Sequence, residues 1–428
     1  MPAITTLVNR SWRPGPLLSA AAALALLAYL IVDFRVFPFE ARFPDEGRFI
    51  EEAVKFAATG EFWGWNDRAF EMPLTGVLYG AIYSVVGSEA GLFIVARSLQ
   101  AVLLVVQAWL SADLARRLFD DVRAASLAFI GVLAYPMFIA FQSLLLSEAL
   151  FIFLLVLAVW CLYRWAEAGY ARRWLIAYAV AAAAATYTKA TLTWLPVLLP
   201  ALLILRPAAW KQIVRATALA GLVYALCLAP WWIRNARLFD QPVWFTTSAS
   251  SNLYLGNNPA NVRAGNEWDR DAETPFVAAI GGLPEVERDR RYRARAIAYV
   301  RAEPLEFVRN AGRKLVRFWN VVPNHESFRQ GAYEWAIALS YGPALVLAVV
   351  AAWLYRRRWR RLLPIYALIG YFTLVHVVTI SSLRYRLPLE PFLIIFAAGA
   401  LAFLSRRLAA NRRAARHDCV DTAPGRSV

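Results

Sequence analysis

The sequence predicts an all-α polytopic integral membrane protein with about ten transmembrane helices. Of its 428 residues, 60% are hydrophobic and only 18% are charged, and the mean hydropathy is +0.45, which is unlike a soluble domain. Apolar runs recur along the whole chain, and several approach the roughly 20 helical residues that cross a hydrocarbon core of ~30 Å. These observations exclude a soluble enzyme and an enzyme with a single anchor.

The net charge of +16 raises the question of nucleic-acid binding, which the distribution of the arginines argues against. The arginines are not gathered in one basic domain but stand at the ends of the apolar runs, as the positive-inside rule describes for membrane proteins. Cys161 and Cys227 fall within apolar runs and Cys419 lies in the tail. No disulfide framework and no cysteine-based metal site follow from that spacing.

The first apolar run, Leu17 to Val32, follows Arg10 and Arg13 and has the pattern of a signal peptide. Because more membrane protein follows it, we predict an uncleaved anchor. Alternate threading from a cytoplasmic N-terminus leaves both termini inside and most arginines on the cytoplasmic side. The predicted spans are 17–32, 90–114, 124–141, 149–162, 174–186, 191–205, 213–233, 335–354, 362–380 and 388–404.

The segment from Pro73 to Gly87 is apolar but only 15 residues long. Counting it as a span would invert every later loop against the positive-inside rule, so we predict a juxtamembrane helix at the outer surface. Two helices, roughly 284–302 and 304–320, are predicted within a large outer loop. The predicted parts are a transmembrane catalytic module over 1–233 with an outer loop at 33–89, an outer-face (periplasmic) loop domain over 234–334, C-terminal transmembrane helices over 335–405, and a cytoplasmic basic tail over 406–428.

Three acidic residues at the outer membrane edge are candidates for catalysis. Asp45 and Glu46 follow the first span in Arg42-Phe-Pro-Asp45-Glu46-Gly-Arg48, and Glu148 opens the fourth span in a short loop with no other charge. Solvated loop acids are the plain alternative for an isolated Asp-Glu pair. A second acidic position at the membrane edge favours function, since carboxylates there are functional candidates.

Four cations lie where the positive-inside bias does not favour them. Arg97 lies about two turns into the second span, where an unpaired charge costs at least ~2.5 kcal/mol, and Lys189, Arg384 and Arg386 lie in short outer loops. Their partners are either carboxylates and helix-end carbonyls, or a phosphate. A lipid phosphate near the carboxylates would suit group transfer, in which an acid activates an incoming hydroxyl and the cations stabilise the leaving phosphate.

No cofactor and no metal are predicted. The three histidines, His325, His376 and His417, are far apart in the sequence and lack the spacing of metal ligands.

Seven short motifs, in this order and topological placement, resemble the membrane glycosyltransferases of the GT-C fold, and especially the branch of bacterial aminoarabinose transferases and protein O-mannosyltransferases. The motifs are Pro44-Asp45-Glu46-Gly-Arg48, Ala96-Arg97-Ser98, Ser147-Glu148, Thr188-Lys189, Pro230-Trp-Trp-Ile-Arg234-Asn235, Leu255-Gly-Asn257-Asn-Pro259 and Arg384-Tyr-Arg386-Leu-Pro388.

The resemblance implies a GT-C-like fold, a polyprenyl-phosphate sugar as donor, and a site that opens to the periplasmic side of a bacterial inner membrane. The acceptor would be a lipid, a glycan or a protein that offers a hydroxyl or a lipid phosphate. Membrane lipids rather than nucleic acid would be the other partners. The catalytic candidates are Asp45, as the base, with Glu46 and Glu148. The donor-phosphate candidates are Arg48, Arg97, Lys189, Arg384 and Arg386, and the candidates for acceptor or loop contacts are Arg234, Asn235 and Asn257.

One motif departs from the aminoarabinose transferases. They carry Lys-Pro-Pro before the juxtamembrane helix, whereas this chain has Glu71-Met72-Pro73. The lysine that would help to hold the donor phosphate is missing, so we expect its role to fall on Arg48, Arg97 or the pair of Arg384 and Arg386. The lipid A acceptor and the aminoarabinose donor are therefore not carried over to this chain.

Two other classes remain as alternatives to an inverting glycosyltransferase. A transporter or flippase of lipid-linked sugars would also need outer cations, but such proteins often have repeated halves, which this sequence does not show. A non-catalytic lipid-binding protein descended from such enzymes is the third class. The acids at 45, 46 and 148 argue against it.

Overall fold

The computed structural model describes residues 12–64, 67–204, 210–261, 270–322 and 332–421. Within these ranges the regular structure is helical and contains no strand, which confirms the predicted all-α class. Parts of the predicted loop domain, 262–269 and 323–331, and the end of the basic tail, 422–428, lie outside the described residues.

The N-terminal part contains one long helix and two short ones: α1 (Pro16–Val36), α2 (Pro44–Thr59) and α3 (Leu74–Val86). Helix α3 confirms the separate short helix predicted at 73–87; its 13 residues extend about 20 Å, too short for a span. Helices α2 and α3 pack closely because α3 carries glycines at the contact. A Cβ at Gly80 would lie 2.4 Å from the ring of Phe56.

The central part is a bundle of seven helices. The helices are α4 (Glu89–Phe119), α5 (Val122–Leu133), α6 (Pro136–Gln142), α7 (Glu148–Glu167), α8 (Arg172–Thr188), α9 (Leu195–Ile204) and α10 (Trp210–Phe239). Helices α4, α7 and α8 pack side by side. The alanines along α8 are almost fully buried, and their small side chains allow this close approach.

The segment after α10 and the C-terminal part complete the fold. The helices are α11 (Ala249–Gly256), α12 (Arg270–Gly281), α13 (Glu285–Ala302), α14 (Pro304–Trp319), α15 (Ala332–Leu354), α16 (Trp359–Val378), α17 (Leu383–Arg386) and α18 (Glu390–Asp421). Helices α13 and α14 confirm the two helices predicted at 284–302 and 304–320.

Seven helices of the described chain are long and apolar enough to cross a membrane, or eight if the bent pair α5 and α6, with its angle of 46°, counts as one span. The sequence predicted ten. The two predicted spans that fall short are α8, with 17 residues, and α9, with 10 residues. At 1.5 Å per residue they extend about 26 Å and about 15 Å, less than the ~30 Å hydrocarbon core.

Candidate active site

Four chain segments that are distant in sequence meet at one charged cluster. Asp45 is the second residue of α2, Glu148 is the first residue of α7, Lys189 directly follows α8, and Arg384 lies in α17. Nη1 of Arg384 donates to Oδ2 of Asp45 at 2.5 Å, although the two residues are 339 positions apart. Nε of Arg384 donates to Oε1 of Glu148, and Nζ of Lys189 donates to the same oxygen at 2.8 Å.

The two carboxylates of this cluster differ in exposure. The side chain of Asp45 is 32% exposed, whereas that of Glu148 is 0% exposed. A buried carboxylate needs cationic partners to offset its desolvation, and Glu148 has two. Asp45 is therefore the carboxylate that a substrate can reach, while Glu148 holds Lys189 and Arg384 in place.

Glu46 is directed away from the cluster into backbone hydrogen bonds. Its Oε2 accepts the N–H groups of Arg42 and Phe43, both at 2.9 Å, and its Oε1 accepts the N–H of Leu145 at 2.8 Å. The bond to Phe43 is half of a capping box that starts α2. The geometry gives Glu46 a positioning role, because it joins the start of α2 to the loop before α7; its predicted catalytic role stays a prediction.

A second ion pair extends the cluster toward α3. Nη2 of Arg48 pairs with Oε1 of Glu71, and Nη1 of Arg48 lies 3.9 Å from Oδ1 of Asp45. Burial raises the pKa of Glu71, while Arg48, Lys189 and Arg384 oppose that shift. Sequence reasoning did not select Glu71 as a site residue, although it lies two residues before Pro73, the residue that precedes α3.

Arg97 lies apart from this cluster, in a buried ion pair. Its Nη1 is 3.6 Å from Oδ2 of Asp33, and neither side chain is exposed. Its Nη2 donates to the carbonyl of Pro38 at 3.1 Å, and its guanidinium lies over the ring of Phe93. The structure thus supplies Arg97 with a carboxylate partner in α1, and its donor-phosphate role stays a prediction.

Arg386 is also buried and paired, on the opposite side of α17 from the cluster residue Arg384. Its Nε donates to Oε1 of Glu390 at 2.9 Å, and its Nη1 donates to the carbonyls of Phe318 and Asn320 at 3.0 and 2.7 Å. Arg386 therefore joins α17 to the end of α14, and the structure does not place it among the cluster residues.

A stack of three aromatic rings supports the segment that carries Arg384. The ring of His376 lies parallel to that of Tyr385, with 4.7 Å between centroids, and it stacks on Phe318 at 5.7 Å on its other side. Nδ1 of His376 is 3.1 Å from the carbonyl oxygen of Ile380. The stack joins α14, α16 and α17 next to Arg384, so it restricts where that arginine can point.

Arg234 and Asn235 hold loops beside a cavity. Nη1 and Nη2 of Arg234 donate to the carbonyls of Arg68 and Phe62 at 2.9 and 3.1 Å, and Nδ2 of Asn235 donates to the carbonyl of Val243 at 3.0 Å. The cavity measures about 410 Å³. Its lining is mostly apolar and aromatic and consists of Phe56, Gly60, Glu61, Phe62, Arg68, Pro73, Val77, Tyr187, Pro230, Trp231 and Arg234.

Asn257 joins the segment after α11 to the end of α16. Its Nδ2 donates to the carbonyl of Val378 at 2.8 Å, and its Oδ1 accepts from Nζ of Lys314 at 2.9 Å. Lys314 is fully buried, and burial lowers its pKa to about 7. Neither Arg234 nor Asn257 lies among the cluster residues, and their predicted contacts with an acceptor stay predictions.

Within the described ranges, no three His, Cys, Asp or Glu side chains are grouped so that they could hold a metal ion. The carboxylates of the cluster are paired with cations instead.

Comparison with known proteins identifies a family resemblance over one part of the chain. Residues 73–233 match the family model described as dolichyl-phosphate-mannose-protein mannosyltransferase. This match confirms the resemblance to GT-C membrane glycosyltransferases, and it spans α3 and most of the central bundle. No curated protein matches the chain in sequence.

Two solved structures of ArnT from Cupriavidus metallidurans are similar to this chain, one bound to undecaprenyl phosphate and one in the apo state. Each is 17% identical with a TM-score of 0.43. The alignments cover 91% and 87% of this chain and 78% of the ArnT chain in both cases.

Proposed function

We propose that this integral membrane protein, which resembles the GT-C glycosyltransferases, transfers a sugar from a polyprenyl-phosphate carrier to an acceptor. One observation carries the proposal: a reachable carboxylate, Asp45, is hydrogen-bonded to Arg384, which a buried Glu148 holds together with Lys189. A base beside a group of cations is what such a transfer needs. The family match at 73–233 supports the same reaction class.

In the proposed reaction the acceptor hydroxyl attacks the anomeric carbon of the donor sugar and gives its proton to Asp45. The bond between that carbon and the phosphate oxygen breaks, and its electron pair leaves with the polyprenyl phosphate. Attack from the face opposite the leaving group inverts the anomeric centre. The released phosphate gains negative charge, which Arg384, Lys189 and Arg48 are placed to stabilise.

The phosphate has to compete with the carboxylates that occupy these cations. Asp45, Glu71 and Glu148 pair with Arg48, Lys189 and Arg384 in a cluster of three acids and three bases. Because Asp45 and Glu71 are partly exposed, at 32% and 22%, we infer that the phosphate displaces these two rather than the buried Glu148. Displacement from Arg384 would also free Asp45 to accept a proton.

The cavity beside the cluster suits the carrier chain. Pro73 and Tyr187 in its lining are two residues from Glu71 and Lys189 of the cluster. An apolar and aromatic lining favours an isoprenoid chain over water. We infer that the first isoprenoid units of the donor enter here, while its phosphate meets the cations.

From the arginine distribution we infer that the proposed reaction takes place at the outer face of the inner membrane, with both termini in the cytoplasm. In this topology the inner side carries the turn from Arg356 to Arg361 between α15 and α16. It also carries the described part of the predicted basic tail, which begins at Arg406. Accessibility labelling of single cysteines in sealed spheroplasts would test it, and a cysteine at Val85, which is 86% exposed, should react from outside.

The test is Asp45→Asn in the purified protein, supplied with a polyprenyl-phosphate sugar and an extract of envelope acceptors. We expect turnover to fall at least ~100-fold, as for loss of a general base, with polyprenyl-phosphate binding retained. Glu51→Gln is the matched control, because Glu51 is an exposed acid on the same helix. Retained turnover in Asp45→Asn would exclude this base, and movement of the intact donor without cleavage would favour the flippase.

A further inference from the structure

The turn between α15 and α16 carries five arginines in six residues, from Arg356 to Arg361. It consists of a short 3-10 turn, Arg356–Arg358, followed by the first turn of α16. It lies at the N-terminal end of α16, whereas the cluster around Arg384 follows the C-terminal end of that helix. The turn is therefore remote from the proposed active site.

Two of these arginines are paired with carboxylates. Nη1 of Arg358 lies 3.1 Å from Oδ2 of Asp120, and Arg361 lies 3.6 Å from the same oxygen and 3.4 Å from Oε1 of Glu167. These contacts fasten the turn to the ends of α4 and α7. They give Arg358 and Arg361 a structural role.

The other three arginines face outward. Arg356, Arg357 and Arg360 are exposed, and no described carboxylate pairs with any of them within 4.0 Å. The guanidinium of Arg356 lies over the ring of Trp353, 4.8 Å from its centroid, and that of Arg360 lies over Trp359 at 5.4 Å. Three exposed cations thus lie within five residues of one another without anionic partners in the described chain.

Their position conflicts with the dipole of α16. The N-terminal end of a helix carries partial positive charge, so acids are favourable there and cations are not. The first turn of α16 contains no acidic residue, and Arg360 and Arg361 lie in it. An anion bound at this surface would relieve both the repulsion among the arginines and the conflict with the helix.

The neighbouring tryptophans indicate which anion is available. Trp353 is 63% exposed and Trp359 is 47% exposed, and tryptophans of this kind mark the interface between membrane and water. The turn also joins two helices that are long and apolar enough to span a membrane. At that depth the phosphate groups belong to lipid headgroups.

We propose that Arg356, Arg357 and Arg360, flanked by Trp353 and Trp359, bind the phosphate of an anionic phospholipid. The tryptophan rings pack against the upper acyl chains and the glycerol, and the guanidinium groups donate to the phosphate oxygens. The proposed lipid site does not depend on the proposed transferase activity, so either proposal can be refuted without refuting the other.

The test compares lipid binding to the purified full-length protein by native mass spectrometry, with phosphatidylglycerol and phosphatidylcholine offered in equal amounts. The variant is Arg356→Gln/Arg357→Gln/Arg360→Gln. We expect its preference for phosphatidylglycerol to fall roughly 100-fold, because each of the three arginines contributes a factor of about five. The matched control removes the same charge from the outer loop, with Arg290→Gln/Arg291→Gln/Arg293→Gln, and should keep the preference.

Two further measurements keep the proposal falsifiable if the glutamine variant does not fold. The corresponding triple lysine variant should retain most of the preference, and the preference of the unaltered protein should weaken as salt rises from about 50 mM to about 500 mM. Equal binding of both lipids by the unaltered protein would overturn the proposal. Displacement of phosphatidylglycerol by inorganic phosphate at an equal concentration would also overturn it, since the site would then select phosphate rather than lipid.

Discussion

Glu148→Gln separates the two roles that the structure gives to the charged cluster. The substitution keeps the shape of the side chain and removes the charge that holds Lys189 and Arg384. Arg384 would keep Asp45 as an ion-pair partner, whereas Lys189 would lose the carboxylate to which it donates. The structure therefore predicts two effects of opposite sign.

The first effect is a loss of stability. Breaking a buried ion pair by removing one partner costs about 3–5 kcal/mol. Since the two cations remain 17% and 21% exposed, water can solvate them in part, and we expect the lower end, about 3 kcal/mol. At about 2–4 °C per kcal/mol for a large domain, the melting temperature in detergent should fall by about 6–12 °C. Lys189→Met added to Glu148→Gln should recover part of this loss, because it removes the cation left without a partner.

The second effect is tighter binding of polyprenyl phosphate. A carboxylate about 4 Å from a cation contributes about 4 kcal/mol at an effective dielectric constant near 20. Without the charge of Glu148, this attraction of Lys189 and Arg384 becomes available to a phosphate that has displaced Asp45 and Glu71. Solvent and the remaining carboxylates reduce this gain, so we expect affinity to rise at least tenfold, measured by quenching of tryptophan fluorescence.

The matched control for both effects is Glu390→Gln. Glu390 is a carboxylate as buried as Glu148, and its partner Arg386 lies away from the cluster. It should lower the melting temperature without changing phosphate affinity. If Glu148→Gln destabilises the protein as Glu390→Gln does but binds phosphate no better, the cluster cations do not face the ligand and the reasoning is wrong.

Three other predictions concern the contacts around the site. The pKa of Lys314 is about 7 in the folded chain and about 10 in the unfolded chain. The free energy of unfolding should therefore rise between pH 7 and pH 10 by up to ~1.4 kcal/mol per pH unit. Lys314→Met should remove this slope in thermal melts. His376→Phe should preserve kcat because it retains the ring stack, whereas His376→Ala should lower kcat more than it raises KM; equal effects of both would contradict a positioning role. A Cβ at Gly256 would lie 1.8 Å from the carbonyl oxygen of Thr379, so Gly256→Ala should lower the melting temperature, whereas Gly312→Ala, which meets no neighbour within 4 Å, should raise it slightly.

Most of the apolar spans, the short helix at 73–87 and the two helices at 284–302 and 304–320 were predictable from the sequence because their signals are local. A run of apolar residues forms a helix in lipid whatever its neighbours, since every backbone group must be satisfied within the segment. The count of spans was less predictable. Pro196 and Pro200 read as part of an apolar run, but the chain breaks at Thr193, where φ is +39°, and α9 is left with 10 residues.

The charged residues of the site were also predictable only in part. Sequence position alone identified Asp45, Glu148, Lys189 and Arg384 as candidates, and the structure brings these four together. The same reasoning grouped Arg97 with these four residues. A buried arginine needs an anionic partner, but the sequence does not show which group supplies it. Asp33, in the preceding helix α1, is the partner that folding supplies.

The sequence by itself determined that this chain is a membrane protein, where most of its helices lie along the chain, and which acids and cations are candidates for the site, because hydropathy and helix formation are properties of neighbouring residues. Only the tertiary structure decided which charges are partners and which carboxylate is exposed. Electrostatic pairing depends on distances of a few ångströms and on the solvent that burial removes, and both are set by the packing of segments as far apart in the chain as Asp45 and Arg384.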